Sequence, residues 1–236
     1  MLYSFAYYFI IFFIFSFIGY LCEVISVSYH KKKICLSRGY LIGPYLPIFG
    51  FGSLFILVVL DTYKNDYLVL FVFGLISCLI LEYLTSYLLE VIFHVRWWDY
   101  SYKKFDINGR IALDTGLLFG LGSIVITLFA NKYLYSFLDS IPKNVLIIIS
   151  IILFIIMLID FFFSTSVIIK LKDHSNLLKH RDNTEEIRKE LFASLTRRTY
   201  FYKRFIDSFP HIKMSSDSIN TINKILDKIR KKDKYE

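Results

Sequence analysis

Residues 67–93 run for twenty-seven positions with only two charged side chains, Glu82 and Glu90. A helix that crosses the ~30 Å hydrocarbon layer of a bilayer needs about 20 predominantly apolar residues. Five segments reach or approach that length: roughly 3–27, 44–60, 67–93, 114–131 and 144–169. Apolar residues make up 56% of the chain, against about 45–50% in a soluble domain, and the excess is concentrated in these runs. The fold class that follows is an all-α integral membrane protein with about five transmembrane helices. The second segment is the shortest and contains Pro44, Pro47, Gly50 and Gly52. Its start is expected to be broken or re-entrant, because Pro and Gly interrupt a helix and the freed backbone groups then need partners.

The charges between the runs set an orientation. Loop 28–43 carries Lys31, Lys32, Lys33 and Arg38, and loop 94–113 carries Arg96, Lys103, Lys104 and Arg110. Residues 170–236 hold 17 Lys/Arg against 10 Asp/Glu, while the opposite side has only Lys64, Lys132 and Lys143. By the positive-inside rule these loops and the tail face the cytoplasm and the N-terminus lies outside. The first run is expected to stay in the mature chain, since no Lys or Arg precedes it and "HKKK" follows it. Two parts result: a polytopic transmembrane domain, 1–170, and a basic cytoplasmic tail, 171–236. Cys22, Cys35 and Cys78 lie in or beside apolar runs, so free thiols are expected.

Leaving aside Asp114 at the very start of its run, four acids fall within the apolar runs, and all of them sit towards the cytoplasmic side: Glu23, Glu82, Glu90 and Asp160. An ionised side chain at mid-bilayer costs about 2.5–3.5 kcal/mol on insertion scales, so such residues turn inward, pair, or serve a function. Glu82, Ser86 and Glu90 recur at helical spacing and form one stripe, matched in the first run by Ser16, Gly19, Tyr20 and Glu23. The connecting loop "HVRWWDYSYKKFDINGR" is unusually rich for its length. Trp97 and Trp98 are expected as interfacial anchors. Asn108-Gly109 signals a tight turn with positive φ, which would aim Arg110 and Asp106 back towards the membrane. Arg38 stands beside Gly39 in the same way. Arginine suits bidentate recognition of carboxylate or phosphate, so Arg38 and Arg110 are candidates for an anion clamp, and Glu23, Glu82, Glu90, Asp99 and Asn108 would line the polar pocket with them. The plainer alternative is that the arginines only set topology and the acids only hold helices together. Glu90 and His94 also form a carboxylate–imidazole pair one helical turn apart, but no second histidine supports a metal, and neither metal nor cofactor is expected. The chain lacks a G-x-x-x-x-G-K-[ST] phosphate loop and a G-x-S-x-G elbow, which argues against an intrinsic ATPase or a serine hydrolase.

The stretches "RGYLIGPYLPIFGFG" (38–52) and "EYLTSYLLEVIFHVRWWDYSYKKFDINGRI" (82–111) resemble a bacterial membrane family, ABC-transporter type IV or CmpB-like. Its pattern falls on Gly19, Glu23, Arg38, Gly39, Gly43, Pro44, Pro47, Gly50, Glu82, Tyr83, Thr85, Glu90, Trp97, Trp98, Asp99, Tyr100, Ser101, Asn108, Gly109 and Arg110. The resemblance implies a transport role. It covers residues 1–130 closely and is looser beyond them, with "RFIDSFPHIK" in the tail also similar.

Beyond Lys170 the pattern becomes amphipathic: Ile187, Leu191, Leu195, Tyr202, Phe205, Ile206 and Phe209 lead to Pro210, and Ile219, Ile222, Leu226 and Ile229 follow. A polar, helix-poor join is expected over 173–182. Basic amphipathic helices beside a bilayer lie on anionic lipid, so membrane lipids are one expected partner and a separate ATPase another; nucleic acid is not expected. Three functions are therefore open for a multi-pass plasma-membrane protein. The leading one is a permease-like or substrate-binding component of a transport system. An intramembrane enzyme acting on a lipid or isoprenoid head group is the weaker alternative, as is a structural or regulatory membrane protein.

Overall fold

A computed structural model describes residues 1–36, 39–93 and 96–180, the last eleven by their backbone alone. The amphipathic tail segments beyond His180 lie outside the described residues, as do Ser37, Arg38, His94 and Val95. The described part is built of helices with one very small hairpin. Helix α1 spans Leu2–Lys31, α2 Pro47–Val59 and α3 Tyr67–Phe93. A two-stranded antiparallel hairpin, β1 (Asp106–Ile107) and β2 (Ile111–Ala112), precedes α4 at Leu113–Phe129. One π-turn, Ala130–Leu134, joins α4 to α5 at Tyr135–Asp139, and α6 runs from Lys143 to His180.

Four helical stretches are long and apolar enough to cross a membrane: Leu2–Tyr29, Tyr67–Phe93, Leu113–Asp139 and Lys143–Ser166. The fifth expected segment is the 13-residue α2, which at 1.5 Å per residue reaches only about 20 Å. Its outward face is apolar like those of the long helices: Phe51, Phe55 and Val58 of α2 are exposed, as are Ile148, Ile152, Ile155, Ile159 and Phe162 of α6. Water would penalise such a surface, and lipid would not. This is a membrane protein.

The direction of each helix follows from what it touches. The Lys143 ammonium sits over the Tyr3 ring and Phe154 packs on Phe5 and Phe9, so α6 starts beside the start of α1 and runs the same way. Leu70, near the start of α3, packs with Ile56 and Leu60 from the end of α2, while Phe93 at its far end meets Tyr40. Helices α1, α3 and α6 are therefore parallel, and the chain between α1 and α3 must travel back.

It does so in two halves. Lys32 takes a left-handed conformation, φ 49°, and ends α1 with its N–H on the Ser28 and Tyr29 carbonyls. Over the described residues 33–36 and 39–46 the backbone retraces α1 without forming a helix. The Cys35 N–H donates to Ser28 Oγ, the Tyr20 hydroxyl donates to the Leu36 carbonyl, and the Leu46 N–H donates to the carbonyl of Ser16, the midpoint of α1. Only there does α2 begin, with Pro47 in its first turn, where a missing N–H costs nothing. It packs tightly on α1: a side chain at Gly50 would meet Ser16 and the Phe12 carbonyl, and one at Gly19 would meet Phe49. The small-residue stripe of the first run is thus the groove that receives α2.

One core cluster forms at the end where α1 begins, from Ala6, Ile10, Ile11 and Phe15 with Leu57, Ala130, Leu134, Leu138 and Leu146. Helices α3 and α4 meet through small residues, Gly74 against Ser123 and Gly120 against Phe71, and Ser123 Oγ donates 2.6 Å to the Leu70 carbonyl. The polar groups gather at the opposite end, with the hairpin.

The expected helix-poor join over 173–182 is not what the backbone shows up to His180. Helix α6 continues through it without interruption. No Pro or Gly occurs between Lys143 and His180, so nothing stops a helix already nucleated by the apolar span.

Candidate functional site

The hairpin is positioned by its turn. Asn108 and Gly109 both have positive φ, 54° and 65°, and the Arg110 N–H closes the turn on the Ile107 carbonyl at 3.0 Å. Asp106 Oδ2 accepts from the Gly109 N–H at 2.6 Å, an Asx-type closure. Asn108 Nδ2 reaches Tyr83 Oη on α3 at 3.2 Å. The expected tight turn is present, and it directs Arg110 inward.

Arg110 is only 8% exposed. One terminal nitrogen, Nη2, lies 2.8 Å from Glu90 Oε2, and Nη1 donates 3.2 Å to Ser86 Oγ. Its guanidinium carbon sits 5.6 Å from the ring centroids of both Tyr83 and Tyr87. Two aromatic faces and a carboxylate together replace the water that a buried cation gives up. The Arg110 carbonyl accepts from Trp98 Nε1 at 2.9 Å, which pins the backbone as well. Arg96 joins the same acid: its Nε is 3.3 Å from Glu90 Oε2, and its Nη1 donates to the Asn108 carbonyl at 3.1 Å and lies 3.8 Å from Asp99 Oδ1. Asp99 also accepts from the Ser101 hydroxyl and N–H.

A second group lies one to two turns deeper on α3. Glu82 is 6% exposed, and its Oε1 accepts 3.0 Å from the Tyr100 hydroxyl. Its Oε2 is buried and has no hydrogen-bond partner among the described residues. Burial and the Glu82 carboxylate, and to a lesser degree Glu23, push the Tyr100 phenol well above its ordinary value, so Tyr100 remains a donor. Glu23 on α1 therefore belongs to this neighbourhood electrostatically. Lys103 lies over the Tyr100 ring at 4.7 Å and pairs with Asp114 Oδ2 at 2.7 Å.

The third group is centred on Asp160 of α6. Its Oδ1 accepts from the Ile42 N–H at 2.9 Å and from Ser164 Oγ at 2.9 Å; its Oδ2 accepts from the Gly43 N–H at 2.7 Å and from Tyr45 Oη at 2.6 Å. Tyr40 hydrogen-bonds Thr165 and packs on Trp97 and Phe161. These contacts hold the non-helical segment that precedes α2.

Of the residues singled out from the sequence, Glu90, Asn108 and Arg110 form one connected network, with Asp99 attached through Arg96. Glu82 and Glu23 form the neighbouring group, and Arg38 is outside the described residues. Arg96, Tyr100 and Asp160 emerge as organising residues; from the sequence Arg96 is a topology charge, Tyr100 one residue of the family pattern, and Asp160 one of four intramembrane acids without an assigned partner. Trp97, expected as a lipid anchor, is instead 1% exposed and packed between Tyr40 and Phe93. Among the described residues no three His, Cys, Asp or Glu side chains converge on a metal position, and Cys22, Cys35 and Cys78 are free thiols.

The family model described as "Putative ABC-transporter type IV" matches residues 10–165. The chain belongs to this family. The matched stretch takes in α1 from residue 10 on, α2, the segment between them, α3, the hairpin and α6 up to residue 165, so all three polar groups lie within it. Neither the curated proteins nor the solved structures contain a match to the chain. Family and helices together make it a transport-related membrane protein.

Proposed function

We propose that the chain is a permease-like or substrate-binding component of a membrane transport system, energised by a separate ATPase. The observation that carries this reading is the half-helical return between α1 and α3. Non-helical backbone at membrane depth is tolerated where protein buries it or where it lines a cavity, and broken helices flank the substrate sites of many transporters. Here that backbone, the Glu82 group and the Arg110 network share one end of the bundle. On this reading the chain crosses five times, with the second crossing half helical, the N-terminus outside and the tail in the cytoplasm of a bacterial plasma membrane. Arg38 and Arg110 grip the anionic part of an amphiphilic substrate, and Glu23, Glu82, Glu90, Asp99 and Asn108 line the polar pocket. The incoming anion competes with Glu90 for Arg110, so binding and release of cargo amount to an exchange of carboxylate partners.

The test is affinity capture of the intact protein from its native membrane, read by native mass spectrometry. The expected result is a co-purifying ATPase that survives in Arg110→Lys, Glu82→Gln and Glu90→Gln variants, each of which fails to complement a deletion strain. Normal complementation by all three, with no ATPase recovered, would leave only the helix-holding role for these residues.

A further inference from the structure

We propose that the Glu82 carboxyl is a proton-binding site, loaded and emptied from the end of the bundle that carries the hairpin. Glu82 belongs to the pocket of the transport reading, but its proton binding does not depend on that reading, because it follows from how the charges near Glu82 are already shared out. Glu82 lies 15 residues into α3, about 22 Å along the helix and well inside the apolar span. It is nearly fully buried, one oxygen is held by Tyr100, and the other has no partner among the described residues.

A buried carboxylate needs a cation or a full set of donors to persist as an anion. Each neighbouring element leaves it short. On α3 itself, Glu90 two turns further on draws the hairpin's Arg110 to itself, and the Cys78 thiol one turn earlier is not a cation. The 96–112 loop supplies the Tyr100 hydroxyl and Lys103, whose ammonium is 2.7 Å from Asp114 at the start of α4. Helix α1 contributes Glu23, another acid. Helix α2, Pro47–Val59, contains no titratable residue. The ligand that balances Glu82 in this setting, and that needs no cavity, is a proton.

The chemistry is a simple equilibrium. The carboxylic acid gives its proton to water at the hairpin end and takes one back, with Tyr100 bonded to Oε1 in both forms. Tyr100 is partly exposed, and through its bond to Oε1 it links the buried carboxyl to that surface. A protonated Glu82 is neutral and suits the apolar span; a deprotonated one attracts whatever cationic or donor group next enters.

The experiment is infrared difference spectroscopy of the full-length protein in phosphatidylcholine vesicles, titrated through the neutral range. Wild type is expected to show one protonated-carboxyl band that titrates, that is lost completely in Glu82→Gln, and that shifts in frequency in Tyr100→Phe. The Tyr100→Phe shift serves as the deciding measurement should Glu82→Gln not fold, with helix content by circular dichroism as the check. A band that persists in Glu82→Gln, disappears instead in Glu23→Gln, or ignores Tyr100→Phe overturns the assignment. So does a wild-type protein with no titrating carboxyl band at all. None of these readouts depends on cargo or on an ATPase, so failure here leaves the transport reading untouched.

Discussion

Asp160 Oδ2 accepts a 2.7 Å hydrogen bond from the backbone N–H of Gly43, tying α6 to a stretch of chain that forms no helix. Lipid offers a stranded N–H no partner, so a span that abandons helical geometry must find acceptors elsewhere. Asp160 supplies them for two consecutive residues at once. Its remaining lone pairs are taken by Tyr45 and Ser164, so this charge deep in an apolar helix is one of the best-satisfied groups in the molecule. It ties the return between α1 and α3 to α6, beside the contacts that the segment makes with α1.

Asp160→Ala should therefore be among the most damaging single changes. It orphans two backbone N–H groups and a phenol, at about 1–3 kcal/mol for each group left buried and unpaired. Asp160→Asn keeps one acceptor oxygen but sets an amide NH2 against a donor, so it should fall between. Ser164→Ala removes a donor that Asp160 can spare and should be mild. Thermal unfolding in detergent, read by circular dichroism, ranks the three. If Asp160→Ala melts with the wild type, Asp160 does not hold the segment.

The hairpin turn makes a separable forecast. Gly109 has φ 65°, and a Cβ there would press on Asp99 and Ser101. Gly109→Ala combines left-handed strain of about 1 kcal/mol with that clash, and should disturb Arg110 as well. Asn108→Gly suits a φ of 54° without strain and should be close to neutral, apart from its lost contact with Tyr83. The ratio of folded protein recovered from membranes for the two variants checks this. Equal recovery would mean that the turn tolerates any backbone.

How much of this could be seen in the sequence varies by residue. The long helices were legible because apolar length is a direct physical requirement of the bilayer, and α3 was placed at the bounds it has. The Asn108-Gly109 turn was legible because few residue pairs accept positive φ. The partnership of Asp160 with Ile42 and Gly43 was not. It joins residues 117 and 118 positions apart, and no local pattern encodes which distant backbone an acid will serve. Trp97 was misjudged for a related reason. An interfacial Trp and a buried one have the same sequence context, and only the approach of Tyr40 from the α1–α2 segment decides between them. Arg96 looked like a topology charge until the turn brought the Asn108 carbonyl to it.

Membrane orientation can be probed directly. In a background with Cys22, Cys35 and Cys78 replaced, single cysteines at Asn65 and Asp217 should respond differently to a membrane-impermeant maleimide. Position 65, just ahead of α3 and exposed, should label in intact cells, and position 217 only after lysis. Labelling of 217 in intact cells would invert the proposed topology and move the polar end of the bundle to the outer face.

Arg110 and Glu90 invite a double-mutant cycle, because the pair separates packing from function. Arg110 is the more buried partner, with its side chain 10% exposed against 35% for Glu90. Removing the carboxylate in Glu90→Gln leaves Arg110 with Ser86 and two tyrosine faces, a loss of about 1–3 kcal/mol. Arg110→Lys retains charge but loses the planar guanidinium that contacts Glu90 and Ser86 at once and lies over Tyr83 and Tyr87. It should cost at least as much. Because the two changes remove the same Arg110–Glu90 contact, the double variant should be destabilised by less than the sum of the two singles, with a coupling of about 0.5–3 kcal/mol in detergent unfolding. Additive losses would show that the two side chains do not interact. The functional comparison adds a second axis. If Glu90 only neutralises Arg110, complementation should track stability across the two singles and the double. If Arg110 must exchange Glu90 for cargo, Arg110→Lys should fail to complement more severely than its loss of stability accounts for, in the single and the double alike.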